Sequence, residues 1–361
     1  MNLRIPGPTP CPPEILEAMG TQMINHRGPE FKALLMDVLA RMKAICQTDG
    51  EVLIFTCSGT GGMEAAVVNT ISPGDHVLSL TGGAFGNRFA NIAEAFGARV
   101  QRLEFEWGQP VDPEAVRQAL RDDPEIRVVL ITHNETSTGV TNDLSSIGPV
   151  VREFDKLLLV DAVSSLGAVD LPMDKWGCDV VVTGSQKAWM VPPGLAMVAV
   201  GQRAWKAMDQ AKSPRFYWDF RSMKKFQATG ETPFTPAISL YFALAVALDA
   251  IEKEGFANVV ARHSRVAAYA RQMVKELGLT IFPNEAYASN TVTAIRVPEG
   301  MEVKPLLKTL REQHGVVLAG GQGKLDGSIF RIGHLGYVTE ADMEGVGRAL
   351  KAVLPHVKAR A

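Results

Sequence analysis

Between residues 50 and 200, short β-branched apolar runs alternate with helical patterns, and that alternation leaves few architectures open. EVLIFT (51–56), DHVLSL (75–80), RVQRLEF (99–105), RVVLITH (127–133), KLLLVDA (156–162), DVVVTGS (179–185) and Leu195–Val200 read as strands. GGMEAAVVNTI, NRFANIAEAFG, DPEAVRQALRDD and DLSSIGPVVREF lie between them and read as helices, several with Asp or Gly at a boundary. Near-continuous apolar strands separated by helices predict an α/β fold whose parallel sheet is covered on both faces. Ligands of such sheets collect beyond the carboxyl ends of the strands.

The pattern changes after about residue 235. Two long helical stretches precede strand-like NTVTAIRV, a helix VKPLLKTLREQHG, a short FRIGHLG and a final helix, which predicts a smaller α+β domain. The proline-rich start reads as an extended arm without a core of its own. At 361 residues the chain exceeds the usual single-domain size, so the expected division is an arm at 1–20, a large domain at 21–245 and a small C-terminal domain at 246–361. A formal net charge of −2 gives no footprint for nucleic acid or an anionic membrane. The start, MNLRIPGPTPCPPEIL, has no apolar core of signal-peptide length and no run approaches a membrane span, so a cytoplasmic location is expected. Cys11, Cys46, Cys57 and Cys178 are scattered without a CxxC pair, so neither a disulfide framework nor a metal site is expected.

Polar residues gather where the strands end. Lys187 sits between two apolar runs, beside a turn stiffened by Pro192-Pro193-Gly194. A lone loop lysine ordinarily snorkels to water, so this one needs its neighbours to give it meaning. Ser58, Gly59 and Thr60 place N–H groups and hydroxyls at a helix start, an anion site or simply a tight connection. The G-x-G-x-x-G fingerprint and the P-loop lysine are both absent. Asp161 ends an apolar strand, where a carboxylate is costly without a partner. Asn134, Glu135, Thr136, Ser137 and Thr138 end another strand, and Phe85 lies in GGAFGNRF, as a core plug or as a lid over a planar ligand.

A phosphate cradle, an aromatic plate, hydroxyls, a buried carboxylate and a lysine at one sheet edge together match the needs of pyridoxal 5'-phosphate. Its aldehyde takes a lysine, its pyridine nitrogen a carboxylate, and its phosphate a helix N-terminus.

SGTGGMEAAVVN, GAFGNR, NETSTGV, VDAVSSLGAVDLPMDKWGCDVVVTGSQKAW and FRIGHLG, in this order, resemble the motifs of class V, fold-type I aminotransferases, close to the alanine–glyoxylate and serine–glyoxylate group. The resemblance runs from PGPTP (6–10) to the last helix. It implies a mostly parallel seven-stranded sheet, pyridoxal phosphate as cofactor and a homodimer with shared active sites. It also implies transfer of an amino group from alanine or serine to a 2-oxo acid, glyoxylate or pyruvate. Lys187 would carry the cofactor and move protons, and Asp161 would pair with the ring nitrogen. Val163 and Phe85 would flank the ring, and Ser58, Gly59, Thr60 and Gln186 would hold the phosphate. Ser137 would reach the phenolic oxygen or the aspartate side of the ring. Thr232 would cross to the partner's phosphate, with Thr235 fitting almost as well, and Arg331 would bind the substrate carboxylate. Many members have Trp where this chain has Phe85. PGPTP would wall a short substrate side chain, while the sequence gives Arg27, Arg88, Arg215 and Arg221 no assigned role. Aspartate, phosphoserine and aminoethylphosphonate transaminases are rival readings. A cysteine desulfurase would need a late loop cysteine, which LAGGQGKLDGS lacks.

Overall fold

The computed structural model describes residues 1–356, so positions 357–361 of the small-domain range lie outside the described residues. Seven strands form the main sheet: β1 (Glu51–Phe55), β2 (His76–Thr81), β3 (Arg99–Glu104), β4 (Ile126–Thr132), β5 (Leu157–Asp161), β6 (Val180–Gly184) and β7 (Ala196–Val200). The sequence placed each of them to within one residue at either end. Their spatial order is β1-β7-β6-β5-β4-β2-β3. All neighbours are parallel except β7, which runs antiparallel to both β1 and β6.

Side-chain alternation on these strands builds two cores. On one face, Ile54, Leu80, Ile131, Val160 and Met197 pack with Phe31, Leu35 and Met42 of helix Pro29–Cys46 and with Leu244 and Leu248 of helix Ile238–Glu254. On the other, Leu53, Val77, Leu130, Leu159 and Val182 pack with Met63 and Val67 of helix Gly59–Thr70 and Phe89 of helix Ala84–Ala95. Each fully buried aliphatic side chain contributes about 1.5–3 kcal/mol relative to exposure. A sheet sealed on both faces leaves its strand ends as the place for polar chemistry.

A second, antiparallel sheet of β8 (Val292–Arg296), β9 (Ala319–Gly320) and β10 (Ile329–Gly333) has β10 in its centre. Helices Phe256–Glu276, Val303–His314 and Glu340–Val353 pack around it in a separate hydrophobic core. Helix Phe256–Glu276 joins the two cores, with Val259 in the first and Val266, Ala270 and Val274 in the other.

The first residues pack more closely than an arm without a core would. Asn2–Leu3 pairs in parallel with Val316–Val317, and helix Pro13–Ala18 fully buries Ile15. Arg4, only 5% exposed, binds Asp342 at 2.6 Å and donates to the Tyr337 carbonyl at 3.1 Å, while its own carbonyl accepts from Gly333 N–H at 2.7 Å. The segment is thereby stitched to the smaller sheet before it crosses the strand ends of the larger one. Arg4→Ala should cost about 1.5–3 kcal/mol, the range for hydrogen bonds to charged groups. A denaturation midpoint equal to wild type would show that this stitch carries no stability.

Candidate active site

Lys187 lies in the hairpin that joins β6 to antiparallel β7, so both strands open at the carboxyl edge of the parallel sheet. The hairpin is closed on itself. Ser185 N–H donates to Leu195 O at 2.9 Å, its hydroxyl donates to Pro192 O at 2.8 Å, and the buried Trp189 indole donates to Thr183 Oγ1 at 2.9 Å. The N-terminal segment grips it from above, with Thr9 N–H on Gln186 O at 3.1 Å and Thr9 Oγ1 on Lys187 O at 2.9 Å. The Lys187 amine donates to Pro6 O at 2.5 Å. Gly7 has a φ of 125°, a backbone conformation that favours glycine, and a Cβ there would come within 2.8 Å of that amine.

Burial pushes the Lys187 amine down to about 8, helped by the positive charges of Arg331 and Arg88 and opposed by Asp161. Asp161 ends β5, the strand next to β6, and is 3% exposed. Burial pushes its carboxyl up to about 6; the Val163 N–H at 3.0 Å opposes this, the Glu135 charge adds to it, and Lys187 and Arg88 oppose it. Neighbouring strands therefore end in an amine and a carboxyl, each held against its usual charged form.

Both line a cavity of about 220 Å³, together with Ser58, Gly59, Thr60, Phe85, Val163 and Gln186. The leading N–H groups of helix Gly59–Thr70 open at this cavity, and its N-cap Ser58 makes no side-chain cap bond. A Cβ on Gly59 would meet Val163 Cγ2 at 2.6 Å, so glycine lets the cradle close on the floor of the cavity. Gln186 Oε1 is buried without a hydrogen-bond partner. These features fit pyridoxal phosphate: a buried carboxyl for the ring nitrogen, an amine for the aldehyde and an N-terminal cradle for the phosphate.

Three expected residues stand elsewhere. Ser137 is fully buried and does not line the cavity; its hydroxyl donates to Glu135 Oε1 at 2.5 Å and accepts from Ala84 N–H at 2.9 Å. Glu135 also accepts from Phe85 and Gly86 N–H, both at 3.0 Å, so the pair caps the helix that carries Phe85. Thr232 is buried away from the cavity with its hydroxyl on Phe234 O at 2.8 Å, whereas Thr235 is exposed. Arg331, 4% exposed on central β10, does not line the cavity. It donates to Gly320 O and Thr136 O at 2.9 Å and to Gln322 Oε1 at 3.2 Å, and burial lowers its affinity for protons to about 10. Thr136, whose carbonyl it holds, does line the cavity, as do Asn134, Ser164 and Arg88.

A mostly parallel α/β sheet with a pinned lysine and a buried carboxyl at adjacent strand ends defines a fold-type I pyridoxal enzyme. The Aminotransferase class-V family model matches residues 2–338. The chain is 43% identical to the soluble hydrogenase small subunit of a Synechococcus species, over 98% of this chain and 92% of that one. It is 40% identical to the L-aspartate–glyoxylate aminotransferase of Paracoccus denitrificans, over 93% and 87%. The crystal structure of an alanine–glyoxylate aminotransferase from Nostoc superposes with a TM-score of 0.94 at 32% identity, covering 98% of this chain and 94% of that one. The chain belongs to the class V aminotransferases, pyridoxal-phosphate-dependent transaminases.

The two perturbed groups make the stability of the cofactor-free protein depend on pH. Asp161 has a folded value of about 6 above its usual 3.8, so stability falls as pH rises between these values. Lys187 has a folded value of about 8 below its usual 10.5, so its cost is full below 8 and is relieved as pH rises toward 10.5. Lys187→Met should therefore raise the Tm of the cofactor-free protein at neutral pH. Asp161→Asn should flatten the decline between pH 4 and 6. A lower Tm for Lys187→Met would contradict this electrostatic picture.

Proposed function

We propose that the chain is a homodimeric aminotransferase that holds pyridoxal 5'-phosphate in the cavity below Pro6–Pro8 and moves an amino group from alanine or serine to glyoxylate or pyruvate. The observation that carries this reading is the amine of Lys187 and the carboxyl of Asp161, both buried and perturbed, facing one cavity from adjacent strands. When bound, the cofactor supplies an electron sink for the α-carbon of the amino acid. Lys187 provides an amine whose neutral form is accessible near neutral pH and moves the proton at that carbon. Asp161 holds the proton on the ring nitrogen, and Phe85 and Val163 keep the ring flat between them. Ser58, Gly59, Thr60 and Gln186 receive the phosphate.

Arg331, just outside the cavity with its Nε on the Gly320 carbonyl and its Nη1 on the Thr136 carbonyl, would turn its remaining Nη2 to the substrate's α-carboxylate. Gly7 and Pro8 close the cavity with backbone and ring atoms, which leaves room for a short side chain. Among the described residues no helix is long and apolar enough to cross a membrane.

For the dimer, support comes from an exposed aromatic group beside Thr235. Phe216 is 80% exposed, and it and Tyr217 lie against Phe234 with ring centroids 5.6 and 5.0 Å away. Thr235 is free to reach a partner's phosphate, whereas the Thr232 hydroxyl is already used. Full activity from a monomer would contradict this assembly.

Single half-reactions followed through cofactor absorbance test the chemistry. Lys187→Ala should give no conversion, and Asp161→Asn should keep the cofactor yet lose about 100-fold or more in rate, the scale for removing a preorganised charge. Alanine and serine should convert the cofactor faster than aspartate or glutamate. Fast conversion by aspartate with alanine and serine inert would refute the donor assignment.

A further inference from the structure

The expected cradle at Ser58–Thr60 offers N–H groups and hydroxyls but no formal positive charge. A phosphate monoester carries about −1.5 to −2 charges at neutral pH, and a helix N-terminus supplies only about half a positive charge. Lys187 cannot make up the difference, because its amine is needed as the nucleophile. The sequence left four arginines without a place, and three are engaged away from the cavity. Arg27 pairs with Glu231 at 2.7 Å, Arg221 pairs with Asp209 at 2.6 Å, and Arg215 donates to the carbonyls of Val68, Ala211 and Ser213.

Arg88 differs from all three. It lines the cavity, and its Nη1 lies 3.4 Å from Thr60 Oγ1, within the cradle itself. Its guanidinium carbon sits 4.7 Å from the centre of the Phe85 ring. Arg88 follows Phe85 by one turn of helix Ala84–Ala95, and a side chain there leans back toward the helix N-terminus and the cavity. No carboxylate of the described residues forms an ion pair with it, so its charge is available to a ligand.

We propose that Arg88 supplies the positive charge that binds the cofactor phosphate, with the Phe85 ring and the Thr60 hydroxyl fixing its guanidinium. This rests on the pyridoxal phosphate reading above. One consequence concerns substrate choice: with Arg88 and Lys187 engaged, the described residues of this chain that line the cavity include no further cation for a side-chain carboxylate, in keeping with small neutral donors.

The test is binding of pyridoxal phosphate and of pyridoxal, which lacks the phosphate, to the full-length protein stripped of cofactor. Arg88→Gln should weaken pyridoxal phosphate by about tenfold or more while changing pyridoxal by less than about twofold, with Arg88→Lys intermediate. Equal weakening of both ligands would mean that Arg88 serves only to pack Phe85, and would overturn the assignment. So would unchanged binding of both, or a defect confined to turnover of aspartate, which would make Arg88 a carboxylate receptor. Failure of the wild-type protein to bind pyridoxal phosphate would remove the underlying reading, and this assignment with it.

Discussion

The structure turns on two groups whose charged forms it makes more costly than water does. Lys187 and Asp161 sit at the ends of neighbouring parallel strands, inside a sheet buried on both faces, and desolvation is the largest influence on each. In water both would be ionised at neutral pH. Here the amine is moved toward its nucleophilic form and the carboxyl toward holding a proton. Opposed shifts of an amine and a carboxyl lining one cavity are what acid–base chemistry uses, and they support the roles proposed for the two groups.

Holding a destabilised amine still requires a rigid frame, and much of the chain contributes to it. The antiparallel return of β7 makes the lysine loop a closed hairpin rather than a crossover. The Ser185 and Trp189 bonds lock that hairpin from within. From outside, the segment anchored by Arg4 on the smaller domain lays Pro6, Gly7 and Thr9 against Lys187. The Lys187 amine is thus in contact with a segment that is anchored on the second sheet.

The strands were legible because buried parallel strands write themselves as apolar runs, and Lys187, Asp161 and the Ser58–Thr60 turn interrupt such runs. Strand direction was not: AMVAV reads alike in either sense, and the antiparallel sense of β7 emerges only from its register with β1 and β6. The resemblance made Ser137 a cofactor contact, yet Glu135 and a helix N-terminus engage its hydroxyl. Arg88 stayed unplaced because helical phase, not spacing along a motif, brings it back over Phe85. The contact of Lys187 with Pro6 spans 181 residues and leaves no local signal at either end.

The central claim is that Lys187 is the amine that takes the cofactor's aldehyde. The most direct measurement is borohydride reduction of the protein loaded with pyridoxal phosphate, followed by proteolysis and mass spectrometry of the phosphopyridoxyl-bearing peptide. The account predicts that the label lies on Lys187 and that the Lys187→Ala protein takes up none. Label on a different lysine, with Lys187 recovered unmodified, would contradict it.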